Sequence, residues 1–285
     1  MTVRIDVGID VGIDAHVHLW DRALDPQDWI DPETMAPIAR DFDASDLKAM
    51  LASTGLERAV VVQSSNSVAE SVRLAYLDPS VVAGLVGWVD LTADVAAQLD
   101  VIRRNATVPL VGVRHLAHID PDPAWLLRDD VALGIDVLDR EGLCFDFVVR
   151  DWQLSQAAAV SGRHEGMSFV LDHLGGPPAP GADTRAWAAG LRELARRPNV
   201  AAKVSGLVSG LAPGSWRAED LADRVLIALE AFGPERLLYG SDWPLVELGG
   251  GAAVWRAAAD SLLGELSASE RAQVFGGNAA GIYCR

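Results

Sequence analysis

Cysteine is nearly absent: Cys144 and Cys284 are the only two in 285 residues. One opens an apolar run and the other stands next to the last residue, so a disulfide framework is excluded and both read as reduced thiols. Basic charge is also short, with 24 Lys and Arg against 40 Asp and Glu and a net charge of −16. Nucleic acid and anionic membrane are thereby disfavoured as partners, since both need a basic surface to neutralise phosphate. No apolar run approaches the length that spans a bilayer, and Met1 to Gly12 lacks the basic start and unbroken apolar stretch of a signal peptide. No segment is of low complexity. These absences point to a cytoplasmic protein acting on a small molecule; they set no oligomeric state.

Half of the residues are apolar, enough for a large core. Short runs rich in Val, Ile and Leu alternate with stretches of helical period, the form of repeated βα units around a parallel sheet. Strands are expected over Ile9 to His18, Arg58 to Ser64, Val82 to Val89, Leu110 to His118, Cys144 to Arg150, Ser168 to Leu174, Val200 to Leu207 and Arg236 to Asp242. Between them, Ala44 to Gly55, Ala93 to Arg104, Trp125 to Gly142, Arg185 to Arg197 and Ala218 to Phe232 read as amphipathic helices, several ending in Gly or Pro. Eight such units predict an α/β fold, a (β/α)8 TIM-type barrel forming one domain over residues 1–285, with an open doubly wound sheet as the alternative.

Barrel enzymes place their chemistry where strands end. The first strand ends in His16 and His18, two apart and therefore on one side, a pair suited to a divalent metal or to hydrogen-bonding a substrate oxygen. The sixth ends in Asp172 and His173 just before Gly175, where His173 is either functional or a buried imidazole satisfied by backbone. The eighth delivers Asp242 ahead of Trp243 and Pro244, and this carboxylate is the first candidate for a catalytic group. On the fourth, Arg114 and His115 point to opposite faces. Arg114 is preferred for the mouth because its planar fork suits a carbonyl oxygen or developing oxyanion, with a structural ion pair as the other reading. Lys203 and Ser205 share a face, where Lys203 either meets substrate or pairs internally. Trp20, Trp29, Trp152 and Trp243 all follow strand ends, and Trp20, Trp29 and Trp243 are candidate stacking planes for a sugar ring. The stiff segment Gly175 to Gly181 and the long loops Leu19 to Asp41 and Leu207 to Glu219 are expected at the rim.

Together Ile13 to Trp20 (IDAHVHLW), Gly112 to His115 (GVRH), Phe169 to Gly175 (FVLDHLG), Pro198 to Leu207 (PNVAAKVSGL) and Phe232 to Pro244 (FGPERLLYGSDWP) resemble the lactonase branch of the amidohydrolase superfamily. That branch includes L-fuconolactonase, L-rhamnonolactonase, sulfomuconolactonase and pyrone dicarboxylate lactonase-like enzymes. The resemblance runs through nearly the whole chain, to Gly277, Asn278, Ala279 and Tyr283. It implies metal or substrate ligands at His16 and His18, a general base at Asp242, a supporting histidine at His173, and a lactone, most naturally a sugar acid lactone, as substrate. The fifth strand ends in Val149, Arg150 and Asp151, which lack the extra ligands of two-metal members. The pattern therefore fits one Zn²⁺ held by His16, His18 and Asp242, with metal-free catalysis by the same groups left open. Two rivals stand beside it: a metal-dependent decarboxylase of the same superfamily, told apart by release of carbon dioxide, and a catalytically silent barrel that binds a sugar acid.

Overall fold

A computed structural model describes residues 12–284; the expected start of the first strand, Ile9 to Val11, lies outside them. Eight parallel strands form one sheet in sequential order: β1 (Ile13–Val17), β2 (Arg58–Val62), β3 (Val82–Gly87), β4 (Leu110–His115), β5 (Cys144–Phe147), β6 (Phe169–Leu171), β7 (Val200–Val204) and β8 (Leu237–Tyr239). The ring closes just beyond β8, where the Asp242 N–H donates to the His16 carbonyl at 2.9 Å and the His18 N–H to the Trp243 carbonyl at 2.7 Å. The expected barrel is thus present.

Helices follow the strands: α1 (Ala44–Thr54), α2 (Val68–Leu74), α3 (Val95–Arg103), α4 (Asp129–Arg140), α5 (Leu154–Arg163), α6 (Arg185–Ala195), α7 (Ala222–Phe232) and α8 (Ala252–Leu262). Their ends obey local chemistry. Asp43 accepts from the N–H groups of Ser45 and Asp46 to start α1, and Gly55 at φ 69° stops it. Two expected helices start late. Arg128 is extended, with ψ 143°, which leaves Trp125–Leu127 as a separate short turn before α4, and a tight turn over Ala218–Leu221 precedes α7.

The main core lies between the sheet and its helices, where residues such as Leu85, Val113, Leu138, Trp187 and Leu191 are buried. Each such side chain contributes roughly 1.5 to 3 kcal/mol. Val60, Val62, Val170, Ala201 and Leu238 form a second cluster with Tyr283. By the period of two, Asp146, Asp172 and Lys203 follow Cys144, Val170 and Ala201 onto that same inner face. Two last helices, α9 (Ala268–Ala272) and α10 (Asn278–Tyr283), cross the floor. There the Asn278 side chain donates to the carbonyls of Pro234 and Leu237, both at 2.7 Å. No helix among the described residues is long and apolar enough to cross a membrane.

Candidate active site at the mouth of the barrel

The strands are shorter than their apolar runs predict, because their last residues leave the sheet to build the site. His173, Leu174 and Asp242 take left-handed backbone conformations, with φ of 52°, 52° and 60°, which non-glycine residues adopt at a cost that clusters at functional sites. Two glycines make room. A Cβ on Gly206, itself at φ +67°, would lie 2.5 Å from His173 Nδ1, and one on Gly240 would lie 2.9 Å from the His16 Cβ.

His16, His18, His173 and Asp242 converge at this point. The Nε2 atoms of His16 and His18 are 3.1 Å apart. Asp242 Oδ1 lies 3.7 Å from His16 Nε2, 3.6 Å from His18 Nε2 and 3.8 Å from His173 Nε2. His18 Nδ1 faces the Val62 carbonyl at 2.8 Å, so the proton sits on Nδ1 and Nε2 turns its lone pair inward. His173 Nδ1 meets the Ser205 hydroxyl at 2.9 Å. Asp242 Oδ2 accepts from Ser209 at 2.9 Å, whereas its Oδ1 is buried without a hydrogen-bond partner. A buried orphan acceptor that faces imidazole nitrogens 3.6 to 3.8 Å away has the separations of ligands sharing one ion at about 2.1 Å. His16, His18 and Asp242 therefore fit a divalent cation.

Burial lowers the pKa values of His16 and His173, which keeps both rings available as neutral ligands. Burial alone would raise that of Asp242, but the facing His173, His18 and His16 hold its carboxyl well below the usual range.

Arg114 is at the cavity wall. Its Nη1 donates to Asp172 Oδ2 at 2.9 Å and lies 3.4 Å from His16 Nε2, while Nη2 binds the Gln63 carbonyl. His115 points the other way, stacked on Trp125 at 3.6 Å and paired with Asp120 at 2.8 Å.

The cavity holds about 450 Å³ and reaches from Asp242, His173 and Arg114 to an apolar wall of Trp20, Leu116, Val148, Val149 and Leu245. Trp29 lines its rim and is 46 % exposed. Gly176 of the Gly175 to Gly181 segment also lines it, and Pro177 to Pro180 border a neighbouring cavity of about 230 Å³.

Two expected substrate contacts need correction. Lys203 is fully buried beneath the mouth, 2.5 Å from Asp146 and 2.9 Å from Asp172, so its charge is spent on internal partners. Trp243 turns away with the chain at Asp242 and packs edge-on against Phe42, 5.0 Å between centroids. Trp152 is exposed and does not line the cavity either. Conversely, the cavity gains His118 and Arg150, and the site gains Gln63, Ser209, Asp146 and Tyr283. A lone Asp146 inside an apolar strand was the one readable signal among these. The others sit in loops or at the far end of the chain.

A closed parallel barrel whose strand ends gather imidazoles and an aspartate around a pocket has the form of a metal-capable barrel enzyme. The family model Amidohydrolase matches residues 13–285, and the chain belongs to that family. It is 35% identical over 282 residues to L-fucono-1,5-lactonase of Burkholderia ambifaria, covering 95% of this chain and 94% of that one. The L-fucono-1,5-lactonase of Burkholderia multivorans is 34% identical, with 95% of each covered. Among solved structures, an amidohydrolase from Burkholderia multivorans with bound zinc superposes with a TM-score of 0.86 at 33% identity, over 96% of this chain and 99% of that one.

Proposed function

We propose that this chain hydrolyses the ring ester of a small sugar acid lactone, in the class that includes L-fucono-1,5-lactone. The carrying observation is the meeting of His16, His18, His173 and Asp242 around one orphaned carboxylate oxygen, at the polar end of a pocket with an aromatic and apolar wall. Two lactonases at 34 and 35% identity over nearly the full length support the substrate class, and the zinc-bound relative supports the ion.

His16, His18 and Asp242 would hold one divalent ion, zinc by its nitrogen-rich set; when bound it lowers the pKa of water toward 7 and polarises a carbonyl. The chain's own groups do the rest. Asp242, oriented by Ser209, accepts a proton from the water that attacks the lactone carbonyl. As the ring carbon–oxygen bond breaks, Asp242 delivers that proton to the departing ring oxygen, leaving an acid and a free hydroxyl. Arg114 and His173 face the carbonyl oxygen as it gains charge; such a donor is worth about 2.7 to 4 kcal/mol. Trp29 at the rim supplies the plane against which the sugar ring rests, whereas Trp20, expected to share that role, is buried and stands edge-on behind it at 86°. Two unpaired thiols, Cys144 and Cys284, fit a reducing cytoplasm for this chemistry.

The test is a panel of aldonolactones and muconolactones followed with a pH indicator, run beside Asp242→Asn. Wild type is expected to acidify the medium with at least one sugar lactone, and the variant to lose roughly two orders of magnitude. Equal rates in the two proteins overturn the role of Asp242, and carbon dioxide release in place of ring opening overturns the reaction.

A further inference from the structure

We propose that Asp146, which touches neither the pocket nor any ligand, is a positioning residue that decides the tautomer of His16. The inference rests on the reading that His16 offers Nε2 to an ion. His16 Nδ1 has two neighbours that ask opposite things of it. Lys203 Nζ lies 3.3 Å away and can only donate; Asp172 Oδ1 lies 3.2 Å away and, ionised, can only accept. The ring is fully buried, so solvent does not arbitrate.

The outcome determines what reaches the mouth. If Lys203 holds Nδ1, the proton moves to Nε2 and points at His18 and Asp242, where it blocks ligation. If Asp172 holds it, Nδ1 carries the proton and Nε2 presents a lone pair. Asp146 decides between them by competing for the ammonium. Its Oδ2 is 2.5 Å from Lys203 Nζ, closer than Asp172 at 2.9 Å or His16 at 3.3 Å. Lys203 is thereby drawn toward the floor and Asp172 is left to receive the imidazole proton.

Asp146 is in turn anchored from below. Tyr283 on α10 donates its hydroxyl to the Asp146 carboxylate, 2.8 Å from Oδ2 and 3.0 Å from Oδ1, and Cys144 Sγ lies 3.6 Å from Oδ1. Charge gives a second reason. Asp146 and Asp172 share the Lys203 ammonium within one buried cluster, so a neutral residue at 146 removes one of the two carboxylates that hold Lys203 and leaves its charge to Asp172 and His16.

The experiment is ¹⁵N NMR of histidine-labelled, metal-free protein, with His16 assigned by the signals lost in His16→Gln. Zinc affinity is measured alongside by competition with a chromophoric chelator. In the wild type, His16 is expected to show a protonated Nδ1 and an unprotonated Nε2; the reverse pattern overturns the proposal. In Asp146→Asn the proton is expected on Nε2, with zinc affinity lowered ten-fold or more, in the range of lost outer-shell partners. Either change without the other overturns it. Tyr283→Phe keeps both charges, so it is expected to retain the wild-type tautomer and zinc affinity within three-fold. A ten-fold loss of zinc affinity there, or a His16 proton moved to Nε2, assigns the effect to a loosened scaffold and overturns the proposal, and this arm and the wild-type spectrum can each overturn it even if Asp146→Asn does not fold. Lactone turnover plays no part, so protein that passes these arms yet opens no lactone refutes the hydrolase reading alone.

Discussion

The backbone N–H of Asp242 donates to the carbonyl of His16 at 2.9 Å, so the bond that seals the last strand to the first also fixes the distance between two candidate metal ligands. The neighbouring bond from His18 to Trp243 does the same one step outward. Ring closure and ligand placement are one structural event. An ion bridging His16, His18 and Asp242 would therefore clamp the seam from the side-chain side and stabilise the whole barrel.

Zinc is accordingly expected to raise the melting temperature of chelator-stripped protein. At free zinc near 100 times its Kd the gain is about 2.7 kcal/mol, several degrees for a chain of this size. The shift should vanish in His16→Ala and in Asp242→Ala. Scanning fluorimetry across a zinc series reads it directly, and an equal shift in those variants would place the ion elsewhere.

The strand cores and the four converging residues were legible because they are local: apolar runs, a His two places from a His, a carboxylate at the end of an apolar strand. Long-range pairing was not. Lys203 looks like a substrate contact until Asp146, 57 positions earlier in the chain, is found against it. Trp243 looks like part of the mouth until the left-handed turn at Asp242 redirects it to Phe42. The polar ends of β6 and β8 continue the alternation in sequence, yet His173 and Asp242 leave the sheet, which no pattern of period two can announce.

Ser209→Ala removes the hydroxyl that donates to Asp242 Oδ2 at 2.9 Å. With that oxygen freed, the carboxylate can rotate away from the water it serves. A fall in kcat of about ten-fold with little change in KM is expected, the signature of an interaction that matters in the transition state rather than in substrate binding. Steady-state kinetics on the best lactone of the panel checks it; a rise in KM alone would make Ser209 a binding residue.

His118 gives the fold a pH dependence. Burial, followed by the nearby Arg114 and Arg150, lowers its pKa from 6.5 to about 4. The folded state thus refuses a proton that the unfolded chain accepts between those values, so stability is full above pH 6.5 and is lost as pH falls toward 4. The loss amounts to about 3 kcal/mol. His118→Gln is expected to flatten the denaturation-midpoint profile by that order over this window while matching wild type near pH 8, and parallel profiles would show that His118 titrates normally.

Gly206 tests whether the backbone at the mouth is as tightly specified as its geometry implies. At φ +67° an alanine is strained, and its Cβ would lie 2.5 Å from His173 Nδ1 and 2.7 Å from Cγ. The imidazole cannot yield toward Ser205 without giving up the 2.9 Å hydrogen bond that orients it. Withdrawal of His173 from Asp242 is the remaining response. Gly206→Ala is therefore expected to cost about 1 to 3 kcal/mol of stability from strain and, separately, to reduce kcat at temperatures where the variant is fully folded. Circular dichroism fixes that temperature range, and kinetics within it decide the point: full activity in folded Gly206→Ala would mean that His173 has no part in the reaction.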